Sequence, residues 1–115
     1  MSASQDIITG SVAGTGAAIN ISLGFIPSYV KVFNPSDAGS LWGTIEWFSG
    51  MAAASGLKSL KTIDSGVTGL ASQAYVTTNG ISSYAGTATA GAGFTIGADA
   101  DINASTEVVY YIAVR

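Results

Sequence analysis

LWGTIEWFSG, residues 41–50, is the stretch that decides the fold class. Its side chains alternate between two sides of an extended chain, and one side carries Trp42, Thr44, Glu46 and Phe48. The other side carries Gly43, Ile45 and Trp47. A period of two is the pattern of a β-strand, because successive side chains of a strand point to opposite faces. The segment therefore predicts a strand.

The same alternation recurs on both sides of this segment. We predict further strands in QDIITGSV (5–12), AAINISLGF (17–25), YVKVFN (29–34), GFTIG (93–97) and EVVYYIAVR (107–115). Turn signals separate them about every dozen residues, which is typical of all-β sandwiches and barrels. The chain of 115 residues suits one domain. We therefore predict a single all-β domain, residues 1–115, with seven to nine short antiparallel strands in a β-sandwich or jelly-roll-like barrel.

Two short motifs predict where strands end. Asn34-Pro35-Ser36-Asp37 is a dense turn signal after YVKVFN. Asn79-Gly80 lies between two β-prone runs in QAYVTTNGISSYAG, residues 73–86, and this dipeptide is the strongest short hairpin signal. We expect a turn at the first motif and a tight hairpin at the second.

The segment 49–66 departs from the period of two. Met51 is followed by three alanines, and Gly50 and Gly56 bracket this part of the segment. Leu57, Leu60 and Lys61 have helical spacing. A short helix and an extended loop both fit this pattern. With fifteen glycines spread along the chain, no long helix is expected.

The composition indicates assembly. Charged residues make up 10% of the chain, against about 25% in an ordinary soluble domain. Surfaces poor in charge are commonly covered by partners, so we expect a homo-oligomer. The four cations are scattered, which argues against nucleic acid as a partner. The start MSASQD does not match a signal peptide, and the longest run of large apolar residues, 108–114, is too short for a membrane span.

GADADINAS, residues 97–105, has the opening cadence of a calcium loop. Asp99, Asp101 and Asn103 fit its first three ligand positions. Position six is Ala104 where such a loop needs glycine, and position twelve is Tyr110 where it needs glutamate. We therefore predict no metal site here, but a polar turn whose Asp and Asn side chains bond their own backbone.

Few residues are available for catalysis. The chain has neither histidine nor cysteine, which excludes Ser-His and Cys-His nucleophile systems. Glu46, Asp99, Asp101 and Glu107 are the candidates for a carboxylate pair, and Glu46 stands out because burial beside Trp47 would raise its pKa. The glycine-rich AGTGAA, residues 13–18, lacks the helix and lysine of a phosphate loop. We predict that the chain is not an enzyme and holds no cofactor.

The aromatic residues suggest an interface, because both sides of the last strand are apolar. Such a strand is either buried on both faces or has an outer face that meets another subunit, and the scarcity of charge favours the second arrangement. The candidate interface residues are Trp42, Trp47, Phe48, Met51, Leu57, Leu60, Tyr110 and Tyr111.

In outline the chain resembles the small virion surface proteins of tailed bacteriophages, the capsid decoration (cement) proteins and related fibre-tip modules. The resemblance lies in SLGFIPSYVKVFN, LWGTIEWF and TTNGI…GFTIGADADINASTEVVYYIAVR. It implies a non-catalytic structural protein, usually a trimer, that is made in the host cytoplasm and stabilises the capsid by binding the major capsid protein. Two other functions remain open. One is a receptor- or carbohydrate-binding tail fibre tip with Trp42 or Trp47 as a stacking platform, and the other is a small calcium-dependent β-sandwich adhesin.

Overall fold

The computed structural model describes residues 6–37, 41–62 and 71–115, and the described chain is all-β. Its strands are β1 (Ile7–Ala13), β2 (Ile19–Ser22), β3 (Tyr29–Asp37), β4 (Leu41–Phe48), β5 (Ser55–Thr62), β6 (Ala71–Tyr84), β7 (Gly93–Ile96) and β8 (Val108–Val114). No helix occurs in these residues. The predicted fold class and the predicted number of strands are confirmed.

All eight strands belong to one antiparallel sheet in the order β1-β8-β3-β4-β5-β6-β7-β2. The sheet must curl, because its two edge strands, β1 and β2, are joined by residues 14–18 alone. In a flat sheet these edges would lie about 34 Å apart, at about 4.8 Å per strand spacing. The connection can span only about 23 Å, at about 3.8 Å per residue step.

The core fills the concave face of this curled sheet. Cross-strand partners share a face, so the register places Val32 of β3 beside Ile45 of β4, and Val30 beside Ala113 of β8. Phe94 from β7 and Tyr111 from β8 meet edge to face at 5.4 Å, which brings the two ends of the strand order together. The buried apolar residues are Ile21, Val30, Val32, Ile45, Trp47, Ile81, Phe94, Ile96, Ile102, Val109 and Ala113.

The prediction of a loop or short helix around 49–66 is wrong for most of that segment. Residues 55–62 form β5, which pairs with β4 on one side and β6 on the other. Leu57 and Leu60 lie on opposite faces, because they pair with Glu46 and Gly43 of β4. Their helical spacing is therefore coincidental, and the strand is stabilised by its two neighbours. Residues 63–66 lie outside the described residues.

The hairpin predicted at Asn79-Gly80 is also wrong, because β6 continues through it. Asn79 has the left-handed φ of 58° that a type I′ turn uses, but a φ above zero is needed at both central residues, and Gly80 does not have one. The dipeptide instead lies where β6 carries extra residues opposite β5. Gly56 of β5 pairs with Val76 and the adjacent Ser55 pairs with Ile81, so residues 77–80 lie in this register shift. Residues 81–84 also pair with β7.

The turn predicted after YVKVFN is a bulge. β3 runs on to Asp37, and its pairing with β4 shifts register between Asn34 and Asp37. Proline is tolerated at a bulge because the missing amide would be left out of the ladder there. The motif therefore interrupts the ladder without ending the strand.

We predict that Gly80→Ala destabilises the protein by about 2 kcal/mol, because an added methyl group would overpack a backbone contact. A Cβ at Gly80 would lie 2.4 Å from the carbonyl oxygen of Ser55, where β5 begins. The matched control is Gly50→Ala, where a Cβ meets no atom within 4 Å. Urea denaturation of both variants checks the prediction, and equal midpoints would contradict it.

Candidate functional site

The convex side of the sheet carries a cluster of aromatic side chains, which we call the outer aromatic face. Its members come from β3, β4 and β8 and are Tyr29, Phe33, Trp42, Phe48 and Tyr110. Register forms two groups on this face: Phe33 pairs with Tyr110 and contacts Trp42, and Tyr29 pairs with Phe48. Trp42, Phe48 and Tyr110 are 44%, 48% and 50% exposed, so this face is uncovered in the single chain.

Trp42 stands between two grooves on this side of the sheet. One groove, of about 780 Å³, has walls formed by Phe33, Trp42, Tyr110 and Ile112, with Lys31, Thr9 and Ser11 at its polar positions. The other, of about 380 Å³, is lined by Trp42, Thr44, Ser59, Leu60, Lys61, Ser72 and Gln73. In the second groove Gln73 Nε2 donates a hydrogen bond to Ser59 Oγ at 3.2 Å. One indole thus lines both grooves.

Glu46 lies on the outer side, opposite the face that holds Trp47. Its Oε2 accepts a 2.6 Å hydrogen bond from the phenol of Tyr29, whose ring stacks on Phe48 at 5.5 Å between centroids. Burial raises the pKa of Tyr29 to about 12, and the bond to the Glu46 carboxylate and its charge act in the same direction. The geometry gives Glu46 a structural role in positioning Tyr29.

The candidate calcium loop is a turn that bonds its own backbone, as predicted. Asp99 Oδ1 accepts hydrogen bonds from the backbone amides of Asp101 at 2.9 Å and Ile102 at 3.1 Å. The amide of Asn103 donates to the Asp99 carbonyl at 2.8 Å. This is the local bonding by which Asp favours turns.

A lysine ammonium lies between the two aspartates of this turn. Lys58 Nζ is 2.8 Å from Asp99 Oδ2 and 2.8 Å from Asp101 Oδ2. Burial lowers the pKa of Lys58, but the hydrogen bonds and charges of Asp101 and Asp99 outweigh burial, so its pKa is raised overall. The ammonium thus takes the place that a cation bridging these carboxylates would occupy. Within the ranges the structure describes, no group of three or more acidic side chains could hold a metal ion.

Sequence reasoning missed Lys58, because it lies in the segment predicted to be a loop or helix. On β5 it pairs with the buried Ile45, so its side chain faces the inside of the sheet. An inward lysine needs a charged partner, and a strand assignment would have directed attention to acidic turns such as the one that contains Asp99 and Asp101.

Two buried asparagines connect the turn to the rest of the sheet. Asn103 Nδ2 donates to the carbonyls of Ala17 at 2.6 Å and Gly97 at 3.0 Å, and its Oδ1 accepts from the Thr15 amide at 2.9 Å. The glycine-rich connection 14–18 is therefore held by Asn103. Asn34 Nδ2 donates to the Asp101 carbonyl at 2.9 Å and to Glu107 Oε1 at 2.9 Å, which ties β3 to the same turn.

The structure separates the eight candidate interface residues into three groups. Trp42, Phe48 and Tyr110 are exposed on the outer aromatic face. Met51, Leu57 and Leu60 are half-buried, and Met51 packs against the core. Trp47 is 3% exposed and its Nε1 donates to the Ala52 carbonyl, while Tyr111 lies on the inner face against Phe94. Trp47 is therefore a core residue, and Tyr111 is partly buried against the core, so neither belongs to the outer aromatic face.

Comparisons of this chain with protein-family models, with curated proteins and with solved structures find no match. No helix long and apolar enough to cross a membrane occurs in residues 6–37, 41–62 and 71–115.

We predict that Lys58→Met destabilises the protein by about 2 to 3 kcal/mol, because it leaves two neighbouring carboxylates without their counter-ion. The effect is smaller than for a fully buried pair, since the side chain of Asp101 is 33% exposed. Lys61→Met is the matched control, since Lys61 is an exposed lysine of the same strand. Thermal and urea unfolding at neutral pH measure the stability of both variants. An equal loss of stability in the two variants would contradict the prediction for Lys58.

Proposed function

We propose that this chain is a non-catalytic structural protein of a virion surface, of the capsid decoration kind. In this proposal it acts as a homo-oligomer, with three copies as the expected number, and binds the major capsid protein. The observation that carries the proposal is the outer aromatic face, where Trp42, Phe48 and Tyr110 are exposed on one wall of the sheet.

The exposed aromatic surface supports assembly for a physical reason. Burial of apolar surface stabilises by about 25 cal/mol per Å², and aromatic side chains are enriched at the centres of protein interfaces. Large contiguous apolar patches are rare on monomeric proteins. The last strand, β8, is apolar on both faces, and Val108 and Tyr110 on its outer side are 46% and 50% exposed. A partner that covers the outer side of β8 would account for the apolar character of these exposed positions.

The sequence resemblance and the low charge support a virion as the setting. Only 10% of the residues are charged, which suits a protein made in many copies and packed against neighbours. Repetition over a lattice turns many weak contacts into strong binding, so no single contact has to be large. Rigid strands hold the outer aromatic face in a fixed arrangement, as such repeated contacts require.

We expect size-exclusion chromatography with light scattering to give a mass well above the 11.5 kDa of one chain. The double variant Trp42→Ser/Tyr110→Ser should reduce that mass, because it removes two exposed rings from the outer aromatic face. Thr77→Ser/Ser83→Ala is the matched control on exposed β6 positions and should leave the mass unchanged.

If the unchanged chain is a stable monomer at micromolar concentration, the proposal that it acts as a homo-oligomer is wrong. The virion role is tested separately by the genome that encodes the chain. A gene beside that of a major capsid protein supports head decoration, whereas a gene among those for tail proteins contradicts it.

A second function, carbohydrate binding at a fibre tip, is favoured by the position of Trp42. Sugar rings stack on exposed aromatic faces while their hydroxyls bond polar side chains. The second groove offers this combination, with the Trp42 indole beside Ser59, Lys61 and Gln73.

If this second function holds, Trp42→Ala abolishes binding on a glycan array, because the stacking platform is lost. Phe48→Ala is the control, since Phe48 is an exposed ring outside both grooves. Binding that survives Trp42→Ala, or no binding by the unchanged chain, would leave capsid decoration as the proposed function.

A further inference from the structure

The edge strand β1 is exposed in a way that most sheet edges are not. It is seven residues long, IITGSVA, and its pairing with β8 is continuous from Ile7 to Ala13 without a bulge. It contains no charged residue and no proline, the usual means of blocking a sheet edge. In the part of the chain that the structure describes, β1 pairs with β8 alone. The other edge, β2, has only four residues.

The hydrogen bonds that flank β1 show which backbone groups face outwards. The amide of Gly14 donates to the Glu107 carbonyl, and the carbonyl of Asp6 accepts from the Arg115 amide, both at 2.7 Å. Backbone groups of successive residues in a strand point to alternate sides. Even-numbered residues therefore bond towards β8, and the N–H and C=O groups of the odd-numbered residues from Ile7 to Ala13 point to the free edge.

We propose that β1 pairs with β1 of a second copy of this chain, antiparallel and about a two-fold axis at Gly10. This register places Ile7 opposite Ala13 and Thr9 opposite Ser11 on the outer face. On the inner face it places Ile8 opposite Val12. Each large side chain meets a small or similar one, each hydroxyl meets a hydroxyl, and the glycine meets itself.

The same register satisfies the free backbone groups. A two-fold axis at residue 10 pairs odd-numbered residues with odd-numbered residues, so outward-facing groups meet outward-facing groups. Antiparallel pairing of four such positions forms about eight hydrogen bonds across the junction. An axis between two residues would instead pair odd-numbered with even-numbered residues. Outward-facing backbone groups of one copy would then lie opposite residues that bond towards β8, and the side chains of paired residues would lie on opposite faces.

The contact also continues the surface already described. Within one chain Thr9 pairs with Ile112, and Ser11 pairs with Tyr110, on the outer face. Across the junction, Thr9 of one copy would lie beside Ser11 of the other. A continuous row of outer-face side chains would then run from Ile112 of one copy, through Thr9 and Ser11, to Tyr110 of the second copy. The two outer aromatic faces would then form one surface, which a single capsid contact could cover. The β1 junction itself does not depend on the proposed function.

A lysine variant tests the junction. Thr9→Lys/Ser11→Lys should lower the mass measured by light scattering to one half or less, because four ammonium groups would meet across the axis of each β1 junction. Thr77→Lys/Ser83→Lys is the control and should leave the mass unchanged. An unchanged mass for the β1 variant would overturn the proposal, provided its thermal unfolding matches that of the unchanged chain.

Cysteine cross-linking tests the register even if the lysines unfold the protein. The chain has no cysteine, so each introduced thiol is unique. An oxidised mixture of Thr9→Cys and Ser11→Cys chains should form a disulfide dimer, since directly opposite Cα atoms lie about 5.5 Å apart. Each variant alone should cross-link much less, because like positions are diagonal neighbours about 7 to 8 Å apart. A mixture of Thr9→Cys and Thr77→Cys chains is the control. If the yield of disulfide dimer is the same in the Thr9→Cys and Ser11→Cys mixture, in either variant alone and in this control, the proposed register is wrong.

Discussion

The fold depends on the ammonium of Lys58 and the two aspartates that hold it at the inner side of the sheet. The turn at 97–107 joins β7 to β8, strands that are far apart in the strand order. It must therefore cross the concave side, where its polar groups are removed from water. Lys58 bonds Asp99 and Asp101, and Asn34 and Asn103 bond the turn's backbone. With these bonds made, Ile102 can lie in the core at 1% exposure. Polar pairing thus allows the curled sheet to close over its core.

The filled interior directs any function to the outside of the molecule. The concave face holds the core and the crossing turn, and its charged groups are paired there. The convex face carries exposed rings and two open grooves, and one edge carries unpaired backbone groups. Asp99 and Asp101 bond Lys58, and Glu46 accepts a hydrogen bond from Tyr29. These features support the proposed role in binding.

The fold class followed from the period of two, because burial on one face of each strand imposes that pattern along most of the chain. The sequence predictions failed where a local sequence motif competed with the pairing of distant strands. Asn79-Gly80 has turn chemistry, yet β6 continues through it with a register shift against β5 and pairs with β7 from Ile81 onwards. Lys58 was missed because its partners lie 41 and 43 residues away in the sequence. The exposure of Trp42 and the burial of Trp47 depend on which face curls inwards, which alternation alone does not specify.

The free edge and the outer aromatic face impose different symmetries. Antiparallel pairing of identical strands creates a two-fold axis, since each strand presents the same groups to the other. A contact through a side wall of the sheet is free to generate a ring, and three copies form the ring expected for a decoration protein. A chain with both contacts joins rings through their edges, so avidity grows with each added copy. Such a chain needs little charge on its surface, because most of that surface would be covered. The scarcity of charge in the sequence and the bare edge in the structure then have the same physical cause.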